Sequence, residues 1–151
     1  MYKRQYTDYA IAFSPEMVEG LTVGAAVSDN EVAAGGKNSN KTTGYVKYAT
    51  GGLTVGYQMS EEDHDTKSSS KESTGWGITY AVNDDMSIGY HTHTLEFDSG
   101  NSTNDQESTG ISASYTMGGM TLGGAINETD NSRGTAASDF ESYEFNLSFA
   151  F

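Results

Sequence analysis

The sequence predicts an all-β protein, with about nine strands of a larger, 16-stranded antiparallel up-and-down transmembrane β-barrel. Three observations support this fold class. First, residues 141–151 (E-S-Y-E-F-N-L-S-F-A-F) alternate large apolar side chains with polar or small ones, which is typical of a strand whose two faces contact different surroundings. Second, a hairpin sequence recurs every 32 to 34 residues. Third, short turns alternate with long polar loops along the chain, as they do in barrels that cross a membrane.

Composition narrows the possible classes of protein. The 151 residues include no Cys, one Pro and 18 Gly, and their net charge is −13. No apolar run approaches the roughly 18 residues of a membrane-spanning helix, which excludes a helical membrane protein. The acidic balance argues against a nucleic-acid partner, because phosphate binding needs Lys and Arg.

The start of the chain, M-Y-K-R-Q, lacks the apolar core and the small-residue cleavage site of a secretory signal. A barrel that is exported needs such a signal. We therefore expect residues 1–5 to be a non-native or disordered edge, and we expect the chain to begin part-way through a longer protein.

Alternating apolar residues mark the strands in order along the chain. The predicted strands are 9–13, 21–27, 46–48, 53–59, 76–82, 86–90, 111–117, 120–126 and 141–151. Short turns rich in Gly, Asn, Asp and Pro join alternate pairs of strands, and these turns lie around Pro15 and at 50–52, 83–85 and 118–119. The remaining connections are predicted to be polar loops at 28–41, 60–73, 98–108 and 127–140.

Four strands open on nearly the same sequence, which is L-T-V-G at 21–24 and 53–56, M-S-I-G at 86–89 and M-T-L-G at 120–123. This is an internal repeat of one hairpin and one long loop. The hairpins T-G-G-L-T-V-G-Y and M-G-G-M-T-L-G-G, with the ending S-Y-E-F-N-L-S-F-A-F, resemble the C-terminal part of Gram-negative general diffusion porins, notably those of marine alphaproteobacteria. The resemblance covers residues 6–151.

The resemblance implies a larger assembly and a function. General porins have 16 strands and form homotrimers in the bacterial outer membrane, where they contact lipid and lipopolysaccharide. They let small hydrophilic solutes and ions diffuse passively. The ending also resembles the strand that the barrel-assembly machinery reads through a terminal aromatic residue, so Phe151 is the expected assembly signal. The constriction loop of such porins would lie in a missing N-terminal part.

Strand parity divides the side chains into two sets. One set is large and apolar, and it is predicted to face lipid: Trp76, Ile78, Tyr80, Ile88, Tyr90, Tyr115, Tyr143, Phe145, Leu147 and Phe149. The other set is polar, and it is predicted to line a pore: Lys47, Gln58, Thr79, His91, His93, Ser112, Ser114, Thr116, Glu144, Asn146 and Ser148. Most pore-face positions are small, which favours an open, wettable bore over the filled interior of an eight-stranded barrel.

The candidates for chemistry are few. His91 and His93 share the pore face and could form half of a metal site, but no third ligand stands at a recognisable spacing, so wall residues are the favoured interpretation. His64 lies among carboxylates in E-E-D-H-D at 61–65, without the spacing of an EF-hand calcium loop. No Ser/His/Asp order, phosphate loop or dinucleotide motif is present. We therefore expect no enzymatic activity, no cofactor and no metal.

The long loops are predicted to carry most of the acidic residues. Among these is an acidic mouth loop formed by Glu61, Glu62, Asp63 and Asp65. Such a mouth would concentrate cations only modestly, because salt screens exposed charges over about 8 Å at 0.15 M. Two alternatives to a porin stay open: a small closed outer-membrane barrel that acts structurally or adhesively through its loops, and the translocator barrel of an autotransporter.

Overall fold

The computed structural model describes residues 5–31, 38–65, 70–98 and 104–150. These residues form nine antiparallel strands in one open sheet, whose spatial order follows the chain. The strands are β1 (Gln5–Phe13), β2 (Leu21–Glu31), β3 (Ser39–Thr50), β4 (Leu53–His64), β5 (Lys71–Ala81), β6 (Met86–Phe97), β7 (Gln106–Met117), β8 (Met120–Asp130) and β9 (Phe140–Phe149). A short 3-10 turn, Ser132–Gly134, lies between β8 and β9. The predicted all-β, up-and-down architecture is confirmed.

Within those ranges, no helix has the length and apolarity needed to cross a bilayer. Of the predicted N-terminal edge, residues 1–4 lie outside the described residues. Gln5, the last residue of that predicted edge, pairs with Glu31 at the start of β1 and therefore belongs to the sheet.

The strands run further into the polar segments than the apolar pattern predicts. β2 continues to Glu31 and β3 begins at Ser39, although 28–41 is predicted to be a loop. β4 likewise runs to His64. The pairing continues because ladder hydrogen bonds join backbone groups, whatever the side chains are. The short strand predicted at 46–48 is therefore part of a strand of 12 residues.

The register divides the sheet into two faces, because residues directly opposite one another on antiparallel strands project to the same side. We call one side the apolar face. It carries an unbroken row of eight residues, one from each strand from β2 to β9: Leu21, Tyr48, Val55, Ile78, Tyr90, Ile111, Ile126 and Tyr143. We call the other side the polar face. Its neighbouring row is Thr22, Lys47, Gly56, Gly77, His91, Gly110, Asn127 and Ser142.

The apolar face is the more exposed of the two. None of the described hydrophobic residues is buried, and Ile111 and Ile126 on the interior strands β7 and β8 are 63% and 52% exposed. The smaller Ser112 and Ala125 beside them, on the polar face, are half-buried. The small side chains of the polar face are thus less exposed than the large side chains of the apolar face, which indicates that the sheet curves toward its polar face. A water-soluble sheet would instead bury its apolar face.

The short turns are built from residues suited to tight hairpins. Gly51 and Gly118 have φ angles of 54° and 61°, in the left-handed region that favours glycine. In the turn between β5 and β6, Asn83 Oδ1 accepts hydrogen bonds from the backbone N–H groups of Asp85, at 2.9 Å, and Met86, at 2.8 Å. These turns set the register of the hairpins they close.

Candidate functional site

The eleven residues predicted to line a pore all lie on the polar face. They occupy five successive rows: Gln58 with His93, Lys47 with His91, Thr79 with Ser112 and Glu144, Ser114 with Asn146, and Thr116 with Ser148. The structure thus brings the predicted set together on one surface. That this surface faces a water-filled pore stays a prediction.

Polar side chains bond across neighbouring strands of this face. Ser87 Oγ lies 2.8 Å from Ser114 Oγ, and Asn127 Nδ2 donates a hydrogen bond to Glu144 Oε1 at 3.1 Å. A hydroxyl group that makes one such bond keeps further capacity to bond water. Asn127 escaped the sequence analysis because it was assigned to a loop, although it continues the alternation of Gly123 and Ala125.

Tyr45 is a second polar-face residue that the sequence analysis missed. Its register partners are Gly24 and Gln58, and its parity matches that of Lys47. The Tyr45 ring lies across Gly24, where an added Cβ atom would fall 2.6 Å from the ring's Cζ atom. The alternation of residues along β3 was sufficient to predict that Tyr45 lies on the same face as Lys47. The sequence analysis assigned this segment from the apolar residues Val46 and Tyr48, which lie on the other face.

The two histidines of the polar face turn toward different neighbours. His93 Nε2 lies 2.7 Å from Ser73 Oγ, whereas the His91 ring lies over Gly110, its register partner on β7. No group of three or more His, Asp or Glu side chains within the described ranges has the arrangement of a metal site. The Ser73–His93 pair has no carboxylate bonded to the histidine among the described residues, the orienting group that a hydrolytic triad uses.

The ten residues predicted to face lipid all lie on the apolar face. Trp76 and Tyr90 pack against each other there, with ring centroids 5.4 Å apart and planes tilted by 54°. Aromatic rings prefer such tilted contacts. Phe151, the predicted assembly signal, lies outside the described residues.

The predicted acidic mouth loop is wrong for three of its four residues. Glu61, Glu62 and Asp63 belong to β4, because the strand keeps pairing with β3 through its charged end. Glu61 and Asp63 lie on the apolar side of the sheet. Glu62 lies on the polar face, where its Oε1 atom is 3.2 Å from Lys41 Nζ and 3.1 Å from His64 Nε2.

Ten carboxylates extend the apolar face at its long-loop end, and we call them the acidic belt. They are Asp29, Glu31, Glu61, Asp63, Glu72, Glu96, Glu107, Glu128, Asp130 and Glu141. The strand lysines of the described ranges, Lys41, Lys47 and Lys71, lie on the polar face instead, together with the strand acids Asp8, Glu62 and Glu144. The polar face is therefore close to neutral, and most of the strand negative charge lies on the other side.

Comparison with solved structures identifies the architecture. A porin refined at 1.8 Å resolution matches 93% of this chain and 50% of its own, with a TM-score of 0.73 and 17% identity. OmpT of Vibrio cholerae, expressed in the outer membrane, matches 96% of this chain and 54% of its own (TM-score 0.62, 14% identity). The KdgM porin, in complex with disordered oligogalacturonate, matches 98% of this chain and 77% of its own (TM-score 0.59, 11% identity).

The fold is that of a porin wall. The chain spans about half the length of the first two of these proteins, and the identities are low enough that the likeness concerns the fold alone. A scan against protein-family models and a search of curated proteins find no match. In the porin fold the polar and apolar faces described above are the two sides of one curved sheet.

Proposed function

We propose that this chain forms part of the wall of a bacterial outer-membrane channel through which small hydrophilic solutes and ions diffuse passively. The observation that carries the proposal is the row of eight apolar residues, all but Leu21 exposed, on one face of a sheet with the porin fold, opposite a face of mostly small polar residues. Lipid is the surrounding that stabilises such an apolar face, and water wets the other.

Sheet closure is the second part of the proposal. In lipid every backbone N–H and C=O group needs a partner within the protein, so a sheet that spans a membrane has to be closed. Among the described residues, β1 and β9 each have one free edge. We expect these edges to pair with further strands of a 16-stranded barrel, and we expect three barrels to form a homotrimer.

The proposed partners follow from the two faces. Outer-membrane lipid and lipopolysaccharide surround the apolar face, the barrel-assembly machinery reads Phe151, and hydrophilic solutes pass along the polar face. We propose no catalytic step and no cofactor.

The decisive experiment is single-channel recording of the full-length protein in a planar bilayer. A diffusion channel gives stepwise currents whose size scales with the KCl concentration. A folded, heat-modifiable barrel that inserts without conducting would contradict the proposal, and it would favour the small closed barrel that acts through its loops. Export of an attached N-terminal domain would favour the autotransporter.

A further inference from the structure

A niche of about 430 Å³ lies across β3 to β6, and most of its lining residues belong to the polar face. Its polar walls are Tyr45 and Lys47 on one side, Gln58 in the middle, and His91 and His93 on the other side. No carboxylate lines it. This is unusual in a chain with a net charge of −13.

The floor of the niche is backbone. Gly56 and Gly77 lie directly opposite each other on β4 and β5, so neither strand projects a side chain at this point. A Cβ atom added at Gly56 would meet nothing nearer than the Val46 carbonyl oxygen, 3.9 Å away. The space above this glycine is therefore open to an occupant.

The walls lean away from the floor and leave it clear. The Tyr45 ring lies over Gly24 on the β2 side, and the His91 ring lies over Gly110 on the β7 side. His93 is tied to Ser73 by the 2.7 Å hydrogen bond. Because Gly24 and Gly110 have no side chains, the rings of Tyr45 and His91 can occupy the space above them, outside the niche.

Lys47 supplies the charge of the niche. Within the described part of the chain it forms no ion pair, in contrast to Lys41 on the same strand, whose Nζ atom is 3.2 Å from Glu62 Oε1. An ammonium group without a carboxylate partner is available to an anionic ligand. The Gln58 amide and the His93 imidazole add hydrogen-bonding groups that suit hydroxyls.

We propose that this niche binds a small solute that carries one carboxylate and several hydroxyl groups. Lys47 holds the carboxylate, and the Gln58 amide and the His93 imidazole bond the hydroxyls beside the glycine floor. The proposal rests on the proposed function in one respect, that the polar face is the side along which solutes pass. Binding is weak, because the lysine is exposed and the ion pair is screened by salt, so the occupant exchanges rather than blocks.

The test is isothermal titration of the full-length protein in detergent micelles at low salt, with gluconate as the ligand. Sorbitol, which carries a hydroxymethyl group in place of the carboxylate, is the neutral control. We expect gluconate to bind in the millimolar range and sorbitol to bind at least about fivefold more weakly, the factor that corresponds to roughly 1 kcal/mol for an exposed ion pair. Equal affinity for the two ligands would overturn the proposal.

Three variants locate the binding. Lys47→Gln should weaken gluconate binding by about fivefold, and Lys41→Gln, the same charge change outside the niche, should leave it unchanged. Gly56→Leu fills the open floor without altering charge and should abolish binding of both ligands. If Lys47→Gln and Lys41→Gln have the same effect, or if Gly56→Leu binds normally as a folded, heat-modifiable barrel, the niche is not the site.

Titration in micelles does not require a conducting pore, so the two proposals fail separately. A conducting channel that does not bind gluconate overturns the niche alone. Lys47-dependent binding by a barrel that never conducts overturns the channel and keeps the niche.

Discussion

The two faces of the sheet share one backbone and differ only in side chains. At the pairing of β5 with β6, Ile78 lies opposite Tyr90 on the apolar face, and one residue along, Gly77 lies opposite His91 on the polar face. The same ladder of hydrogen bonds supports both pairs. No hydrophobic core lies among the described residues, so the ladder, rather than buried side chains, is the internal element that holds the sheet together.

The surroundings of the sheet therefore have to complete its fold. A soluble domain gains most of its stability from apolar burial between its own elements. Here no second layer of the described residues covers the apolar face, and we expect the burial that stabilises it to come from lipid. The same substitution should therefore have opposite effects on the two faces. Comparing those effects tests directly whether the apolar face contacts lipid and the polar face contacts water.

The largest effect is expected for a charge placed on the apolar face. Ile88→Arg should destabilise the membrane-inserted barrel by about 2–4 kcal/mol if the position lies near the bilayer midplane, because a guanidinium is costly to bury in lipid. The measurement is the free energy of unfolding in lipid vesicles, obtained by urea titration of the full-length protein.

Ser87→Arg is the matched control on the polar face of the same strand. Its hydroxyl bonds Ser114 at 2.8 Å, so the substitution costs a hydrogen bond, worth about 1 kcal/mol, and should alter conductance more than stability. Gly89 is a poorer control, because a Cβ atom there would lie 2.8 Å from Ser112 Oγ. Equal destabilisation at Ile88 and Ser87 would mean that both faces are buried, as in a soluble sandwich.

The second effect concerns assembly rather than the folded state. Phe151→Ser, or a charged tail added after it, should reduce the amount of heat-modifiable barrel in the outer membrane of cells, because the terminal aromatic residue is the expected signal for the assembly machinery. Phe140→Ser, a change of the same kind at the other end of β9, serves as the control. An unchanged yield for Phe151→Ser would count against the signal.

The sequence predicts the faces well and the strand ends poorly, for one physical reason. Period-two alternation of apolar residues identifies which side of a strand each residue occupies, so all 21 assigned wall residues fall on their predicted sides. Beyond the apolar rows both sides are polar and the alternation disappears. The ladder nevertheless continues, as it does at Glu61 to Asp63 in β4, because its bonds are made by the backbone.

The niche could not be predicted from the sequence, because it depends on where side chains lean. Gly24 and Gly110 are far from Lys47 along the chain, yet they let Tyr45 and His91 lie flat away from the floor. The pairing of β4 with β5 is needed to place Gly56 beside Gly77. These neighbours are set by the pairing between strands, which the alternation of residues within a single strand does not determine.

A smaller effect is expected for bulk added at adjacent residues of β7. Ser112→Trp places an indole on the polar face and should lower single-channel conductance, since the bore narrows. Ala113→Trp places the same indole on the apolar face, in a shallow groove beside Gly124, and should leave conductance unchanged. Reduced conductance from Ala113→Trp alone would show that the two faces are assigned the wrong way round.

The smallest effect is expected for ion selectivity. Most strand acids form the acidic belt on the apolar side, whereas the strand acids and lysines of the polar face balance, three against three, in the described ranges. The electrostatic field along the polar face is therefore expected to be weak. The full-length channel should prefer K⁺ over Cl⁻ slightly at low salt, and the preference should shrink as ionic strength rises, because the screening length of the loop and belt charges falls from about 30 Å at 0.01 M to about 3 Å at 1 M.

Two sets of neutralisations separate the belt from the bore. Glu61→Gln with Asp63→Asn removes two belt charges and should shift the reversal potential under a KCl gradient only slightly. Glu62→Gln removes one charge from the polar face and frees Lys41, whose Nζ atom lies 3.2 Å from Glu62 Oε1, so it should shift the potential further toward anions than the double change does. If the double change has the larger effect, belt charges govern the mouth despite their position on the apolar side. Anion preference at both low and high ionic strength would instead contradict the prediction of cation selectivity. It would mean that basic residues elsewhere in the channel outweigh the acidic residues described above.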